Sequence, residues 1–247
     1  MEPTSIRSSV SNIPLTSNVL HIAHGSLKRP LNVCDEETYM KKKMQRIVST
    51  PQDDRAAAPD GCHPHDFLIK ILATKGVKVS DCSFESLVNF FHDPSEEEVE
   101  NYKLDILNAV RGNDLATLRE FCSQGRSLKC SNRFGESILH LACRKQLIDI
   151  VDFLVNEAGI PVKVCDDFGR TPLHDACWTH KPDFKLVDLI LSKCPDLLYI
   201  RDKRGHTPLY YARKDHWCIW IEHLQQQTEL LIPKEIIGRN NYAHMRN

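Results

Sequence analysis

The chain has 247 residues, 41% of them apolar and 26% charged, with a formal net charge of −1. That balance is ordinary for a water-soluble protein and gives no global electrostatic reason to expect nucleic acid or a membrane surface as partner. No apolar run approaches the ~18–20 residues of a membrane span, and MEPTSIRSSVSNIPLTSNVL lacks the apolar core of a signal peptide. The ten cysteines are scattered and form no C-x-x-C pair. Without an export signal they read as small, reduced core residues of the cytosol or nucleus.

Residues 1–60 are rich in Ser, Thr, Pro and charge and hold no sustained period. Such a composition buries too little apolar area to offset ordering entropy, which predicts a disordered tail. Within it, DEETYMKKKMQRIV carries its acids before its bases, the order that suits a transient helix. Lys28-Arg29 and Lys41-Lys42-Lys43 are separated by eleven residues, 30 through 40. This resembles a bipartite nuclear import signal, with a solvated charged segment as the competing reading.

From His63 the pattern changes. HDFLIKILATKG places Phe67, Leu68, Ile71 and Leu72 on one helical face and stops at Gly76. SFESLVNFF predicts a second short helix, and DPSEEEVENYKLDILNAV a third, with Asp93 as N-cap, Pro94 in the first turn and acids at the positive helix end. Residues 61–97 therefore read as a short helical extension ahead of the main domain.

Sliding the chain against itself reveals a repeat. RFGESILHLAC (133–143) returns as DFGRTPLHDAC (167–177) and as KRGHTPLYYAR (203–213), with Gly135, Gly169 and Gly205 spaced by 34 and 36 residues. A weaker copy lies in LDILNAVRGNDLATLREF. Each copy has a second apolar helix at the same phase, marked by Leu118/Phe121, Val151/Leu154, Val187/Ile190 and Ile221/Leu224. Thr171-Pro172-Leu173-His174-Asp175-Ala176 matches T-P-L-H-x-A in full, residues 137–142 match it without the proline, and Thr207-Pro208-Leu209-Tyr210 puts tyrosine at the histidine.

This pattern resembles the ankyrin repeat. The resemblance covers Glu98 to Gln227 and implies an all-α solenoid of about four helix-turn-helix units with hairpin-like fingers, over residues 98–232. Residues 233–247 are then a flexible C-terminal tail. Thr171 is read as a helix cap, Pro172 fits the first turn, and the glycines supply positive φ in the fingers. The family's histidine, hydrogen-bonded within the loop network, carries over to His140 and His174 but not to Tyr210. Leu104–Arg119 and Thr207–Gln227 should be the atypical outer caps, and residues 179–184 should lengthen one inter-helix turn.

Chemistry competes poorly with this reading. His140/Cys143 and His174/Cys177 have i,i+3 spacing that invites zinc, yet repeat phase already accounts for them. CHPH (62–65) lacks a partner pair at finger spacing. There is no Gly-rich phosphate loop, H-E-x-x-H or G-x-S-x-G, and Asp175 beside His174 on a helix cannot orient it as a triad would. No enzyme activity, metal or cofactor is expected.

The resemblance instead implies a protein partner lying against the fingers and first helices of a monomeric stack. By register those positions are Arg133, Asp167, Lys203 and Arg204 at the fingers, and Arg144, Lys145, Asp175, Trp178, His180, Tyr211 and Lys214 on the helices. Phe134 and Phe168 either join that surface or pack the fingers. The reading is a non-enzymatic adaptor or scaffold in cytoplasm or nucleus, the basic clusters favouring the nucleus. One alternative is a nuclear transcription cofactor acting through a protein partner. A second is a metal or enzymatic protein using the cysteines and histidines.

Overall fold

A computed structural model describes residues 62–79, 82, 83, 87 and 89–234, all within one unit of the chain, Ala56–Asn247. The predicted tail, its basic clusters and residues 235–247 lie outside the described residues.

The stack is built of helix pairs, the first helices of its middle units buried almost all round. Helices α3 (Leu104–Arg111) and α4 (Leu115–Ser123) form the first unit, α5 (Ile138–Arg144) and α6 (Ile148–Asp152) the second, and α7 (Pro172–Cys177) and α8 (Phe184–Lys193) the third. Helix α6 runs on into a π-helical turn, Phe153–Glu157. The first helices α3, α5 and α7 pack in a row, as short units that cannot bury their own faces must. Leu118, Ile138, Leu139, Ile150, Val151, Leu154, Leu173, Leu186, Val187 and Ile190 fill the continuous core. The turn between α7 and α8 spans residues 178–183, against 145–147 in the preceding unit, so the insertion lengthens one turn and leaves the stack in step.

The fourth unit is modified. Where its first helix should stand, Pro208–Tyr211 makes only a 3-10 turn, followed by a second one at Lys214–His216 and then helix α9 (Trp217–Gln226). Tyr210 has no signature imidazole with which to lock the start of a full helix. Trp220 is the buried aromatic of α9, and Trp217 donates its indole N–H to the Ala212 carbonyl (3.2 Å).

The extension departs most from the sequence reading. Helix α1 (Pro64–Thr74) forms as predicted, with His63 as N-cap accepting the His65 N–H. It packs against α9 and the Pro208–Tyr211 turn, at the far end of the stack from the unit it precedes in sequence. The run expected as a helix over 83–91 instead opens with a strand, β1 (Cys82–Ser83), parallel to β2 (Ile200–Arg201). It ends in a turn where Asn89 has φ of +62°, while residues 84–86 and 88 lie outside the described residues. The chain then returns along the stack: His92 N–H donates to the Lys163 carbonyl (2.8 Å), and Ser131 N–H to that of Glu98 (3.3 Å). Helix α2 (Glu96–Glu100) starts two residues later than predicted, because Ser95 rather than Asp93 caps it by accepting the Glu98 N–H (3.2 Å).

Candidate functional site

The candidate site is the surface made by three fingers and the first helices behind them. Each finger is a tight turn closed by one side chain. Asn132 Oδ1 accepts the N–H groups of Phe134 (2.9 Å) and Glu136 (3.0 Å). Asp166 Oδ1 does so for Phe168 and Arg170 (both 2.9 Å), and Asp202 Oδ1 for Arg204 (2.9 Å) and His206 (3.0 Å). These short side chains mimic a backbone turn. Gly135, Gly169 and Gly205 follow three residues later with φ of +73°, +73° and +81°. The sequence reading missed the three keystone residues, although D/N-x-x-G recurs at the repeat phase and would have revealed them.

The fingers are tied to one another. Asp167 N–H donates to the Phe134 carbonyl (2.8 Å), and Lys203 N–H to that of Phe168 (2.9 Å). Behind them the signature histidines join successive units. His140 Nδ1 accepts the Ser137 N–H (3.1 Å) in a reciprocal capping box, while Nε2–H donates to the Arg170 carbonyl of the next finger (3.0 Å). His174 repeats this with Thr171 N–H (3.0 Å) and the His206 carbonyl (3.1 Å). Both imidazoles must stay neutral to serve as acceptor and donor at once. Burial holds their pKa below the ordinary 6.5, with His174 at about 4.

With both nitrogens committed, neither histidine is free to bind metal beside Cys143 or Cys177, whose buried thiols are pushed well up by desolvation. Among the described residues no group of three or more His, Cys, Asp or Glu side chains converges as a metal site. CHPH is dispersed in the same way: His63 caps α1, and His65 Nδ1 lies 3.0 Å from Thr207 Oγ1. Asp175 does not pair with His174. It is 2% exposed and accepts from Arg144 Nη1 (2.8 Å), which also meets Glu136 at 2.5 Å.

The other predicted face residues divide between scaffold and surface. Arg144 and Asp175 are an internal ion pair between neighbouring first helices, not free surface charges. Tyr211 is half-buried, its hydroxyl donating to the Asp202 carboxylate and its ring edge-on to His174 at 5.5 Å. Arg204 is half-buried, with its backbone in the finger. Arg133, Lys145, Asp167, His180, Lys203 and Lys214 are exposed. Phe134 and Phe168 are half-buried beneath the guanidinium groups of Arg133 (4.7 Å) and Arg170 (4.8 Å), so they pack the fingers. Arg170 in turn pairs with Asp166 (2.5 Å) inside its own finger.

Trp178 is half-buried at the C-cap of α7, and its indole N–H meets no acceptor among the described residues. The insertion beside it is fastened by other groups. Thr179 Oγ1 reaches the Ala176 and Lys181 carbonyls (both 3.1 Å), and Asp183 N–H donates to Gln146 Oε1 (2.6 Å).

The family model described as ankyrin repeats, in 3 copies, matches residues 106–196. A glutaminase-named protein of Caenorhabditis elegans is 29% identical over 132 residues, 53% of this chain and 21% of that protein. The SMC5-SMC6 complex localization factor protein 1 of Bos taurus is 37% identical over 82 residues, 33% of this chain and 8% of its own length. A protein of Rickettsia bellii described by its repeats is 30% identical over 115 residues, 44% of this chain and 62% of the relative. The chain thus spans less than two thirds of each.

Proposed function

The chain is an ankyrin-repeat protein over residues 106–196, and on that premise we propose that it is a non-enzymatic adaptor holding one protein partner against its fingers and first helices. Ankyrin repeats are protein–protein interaction modules of a generally non-enzymatic family, and no described helix is long and apolar enough to cross a membrane. The observation that carries the finer reading is Trp178. A large rigid aromatic has an indole donor with no acceptor among the described residues, beside an insertion fastened by other groups. Such a side chain is a binding hot spot in the making, because filling its donor and removing its ring from water happen together on association. Exposed Lys145, His180 and Lys214 flank it by register and would set specificity and approach rate more than affinity. In this reading the tail supplies address, with Lys28-Arg29 and Lys41-Lys42-Lys43 serving nuclear import.

Proximity labelling in the native cell with the full chain, wild type against Trp178→Ala, tests this. A labelled protein whose purified complex loses at least tenfold in affinity, with the melting temperature of the variant held within a degree or two, supports the assignment. A matching drop in thermal stability makes Trp178 a packing residue and removes it from the interface.

A further inference from the structure

Three N-caps occur in phase along the stack, Ser137, Thr171 and Thr207, and each hydroxyl lies against an imidazole. Ser137 Oγ is 2.9 Å from His140 Nδ1, and Thr171 Oγ1 is 2.9 Å from His174 Nδ1, the histidine in each case three residues on in the same helix. Thr207 cannot repeat this, because Tyr210 occupies the position and is 42% exposed. Its hydroxyl lies instead 3.0 Å from His65 Nδ1, an imidazole supplied from 142 residues earlier in the chain.

The helix bearing that histidine is placed to match. The row of first helices runs α3, α5, α7 and the Pro208–Tyr211 turn, and α1 packs on that turn as the next member. His63 stacks on Tyr210 (centroids 4.6 Å apart) and meets Trp217 edge-on (4.7 Å). Leu68 and Leu72 of α1 are completely buried. Lys75 forms an ion pair with Glu229, and β1 pairs with β2 just before the last finger. A solenoid needs a terminal element with one polar face to close its open end, and here the N-terminal side of the chain provides it.

We infer that residues 62–79, together with Cys82 and Ser83, form a detachable strap that completes the last unit, His65 acting as the signature histidine of that unit. Docking of the strap and ordering of residues 199–231 are then one event, distinct from the folding of the central units, which keep their own capping histidines and meet the last finger through the His174–His206 and Lys203–Phe168 bonds. Tyr211 and Lys214 stand on that last unit, so the strap controls whether the far end of the finger face is presented. The inference stands without the partner reading, since its test uses no partner.

Hydrogen exchange followed by mass spectrometry on the full chain tests it. His65→Ala should speed exchange across 199–226 and 64–74 together by at least tenfold and leave 138–177 at the wild-type rate. Adding Tyr210→His should restore much of the protection, by returning a histidine to the unit's own helix start. Unchanged exchange at 199–226 in His65→Ala would overturn the coupling. Loss of protection at 138–177 as well would overturn the separation of the last unit. Lost protection with no recovery on adding Tyr210→His would overturn the equivalence of the two histidines.

Discussion

Gly135 and Gly205 offer a matched perturbation of the fingers. Both have strongly positive φ, +73° and +81°, which an alanine adopts only at a cost of roughly 1–2 kcal/mol. Alanine recovers roughly 0.4–1 kcal/mol by restricting the unfolded chain, so conformation alone leaves a net loss of about 1 kcal/mol at either site. Their surroundings differ. A Cβ on Gly205 meets nothing within 4 Å, whereas one on Gly135 falls 2.7 Å from the Cys165 carbonyl oxygen and 3.3 Å from the Asp166 Cα, both backbone atoms of the next finger. Backbone cannot rotate aside as a side chain would, and overpacking of this kind typically costs a further ~1–3 kcal/mol. Gly135→Ala should therefore lose about 2–4 kcal/mol and Gly205→Ala about 1, read from the urea midpoint at constant m-value. In the Gly135 variant the Asp167 amide should also exchange faster, since the clash pushes the second finger off the Phe134 carbonyl. Equal losses at the two glycines would refute the claim that the fingers are in backbone contact.

Stability should fall on acidification, because the unfolded chain protonates its histidines near 6.5 while buried His174 resists until about 4. The stabilisation is intact above pH 6.5 and is lost as pH drops towards 4, by about 3 kcal/mol for His174 in the limit. His140 and His63, also held low by burial, act in the same sense. Urea midpoints at pH 7.5 and 5 check this, and a flat profile, or an equal slope in His174→Gln, would contradict it. Fusing residues 1–60 to a reporter too large for passive entry should give nuclear accumulation that Lys41, Lys42 and Lys43 to alanine abolish. A reporter that stays cytoplasmic with the wild-type segment would remove the import role.

The repeat was legible because its physics is local. Each finger glycine takes its positive φ, and Ser137 and Thr171 close their capping boxes, within a few residues of themselves, so Gly135, Thr171 and His174 announce these roles in the sequence. Apart from the Ser95 cap and the finger keystones, the departures are non-local or depend on a neighbour. Asp175 reads as an outward helix residue until Arg144, on the adjacent helix, draws its carboxylate inside. Ser83 reads as the start of a helix until Arg201 offers it a strand partner. His65 looks like half of a metal cluster, and only the end of the stack, with a hydroxyl and no histidine of its own, explains it. Trp178 was placed at the face by register, and the bonds that hold the insertion without it became visible only in three dimensions.

The strap also imposes an order on synthesis. Repeat arrays can ordinarily fold from any point, each unit on the last, with contacts of short sequence separation. Here α1 leaves the ribosome first but finds Thr207 only after a further 142 residues have been made. At roughly 5–20 residues per second that is a wait of about 7–30 seconds. Throughout it Leu68 and Leu72 have no end face to cover and the completed units have no lid. The nascent chain thus carries an apolar helix in search of its seat for longer than the small units need to fold. This makes the interval before the last finger emerges the period in which chaperone contact or mispairing with a second copy is decided.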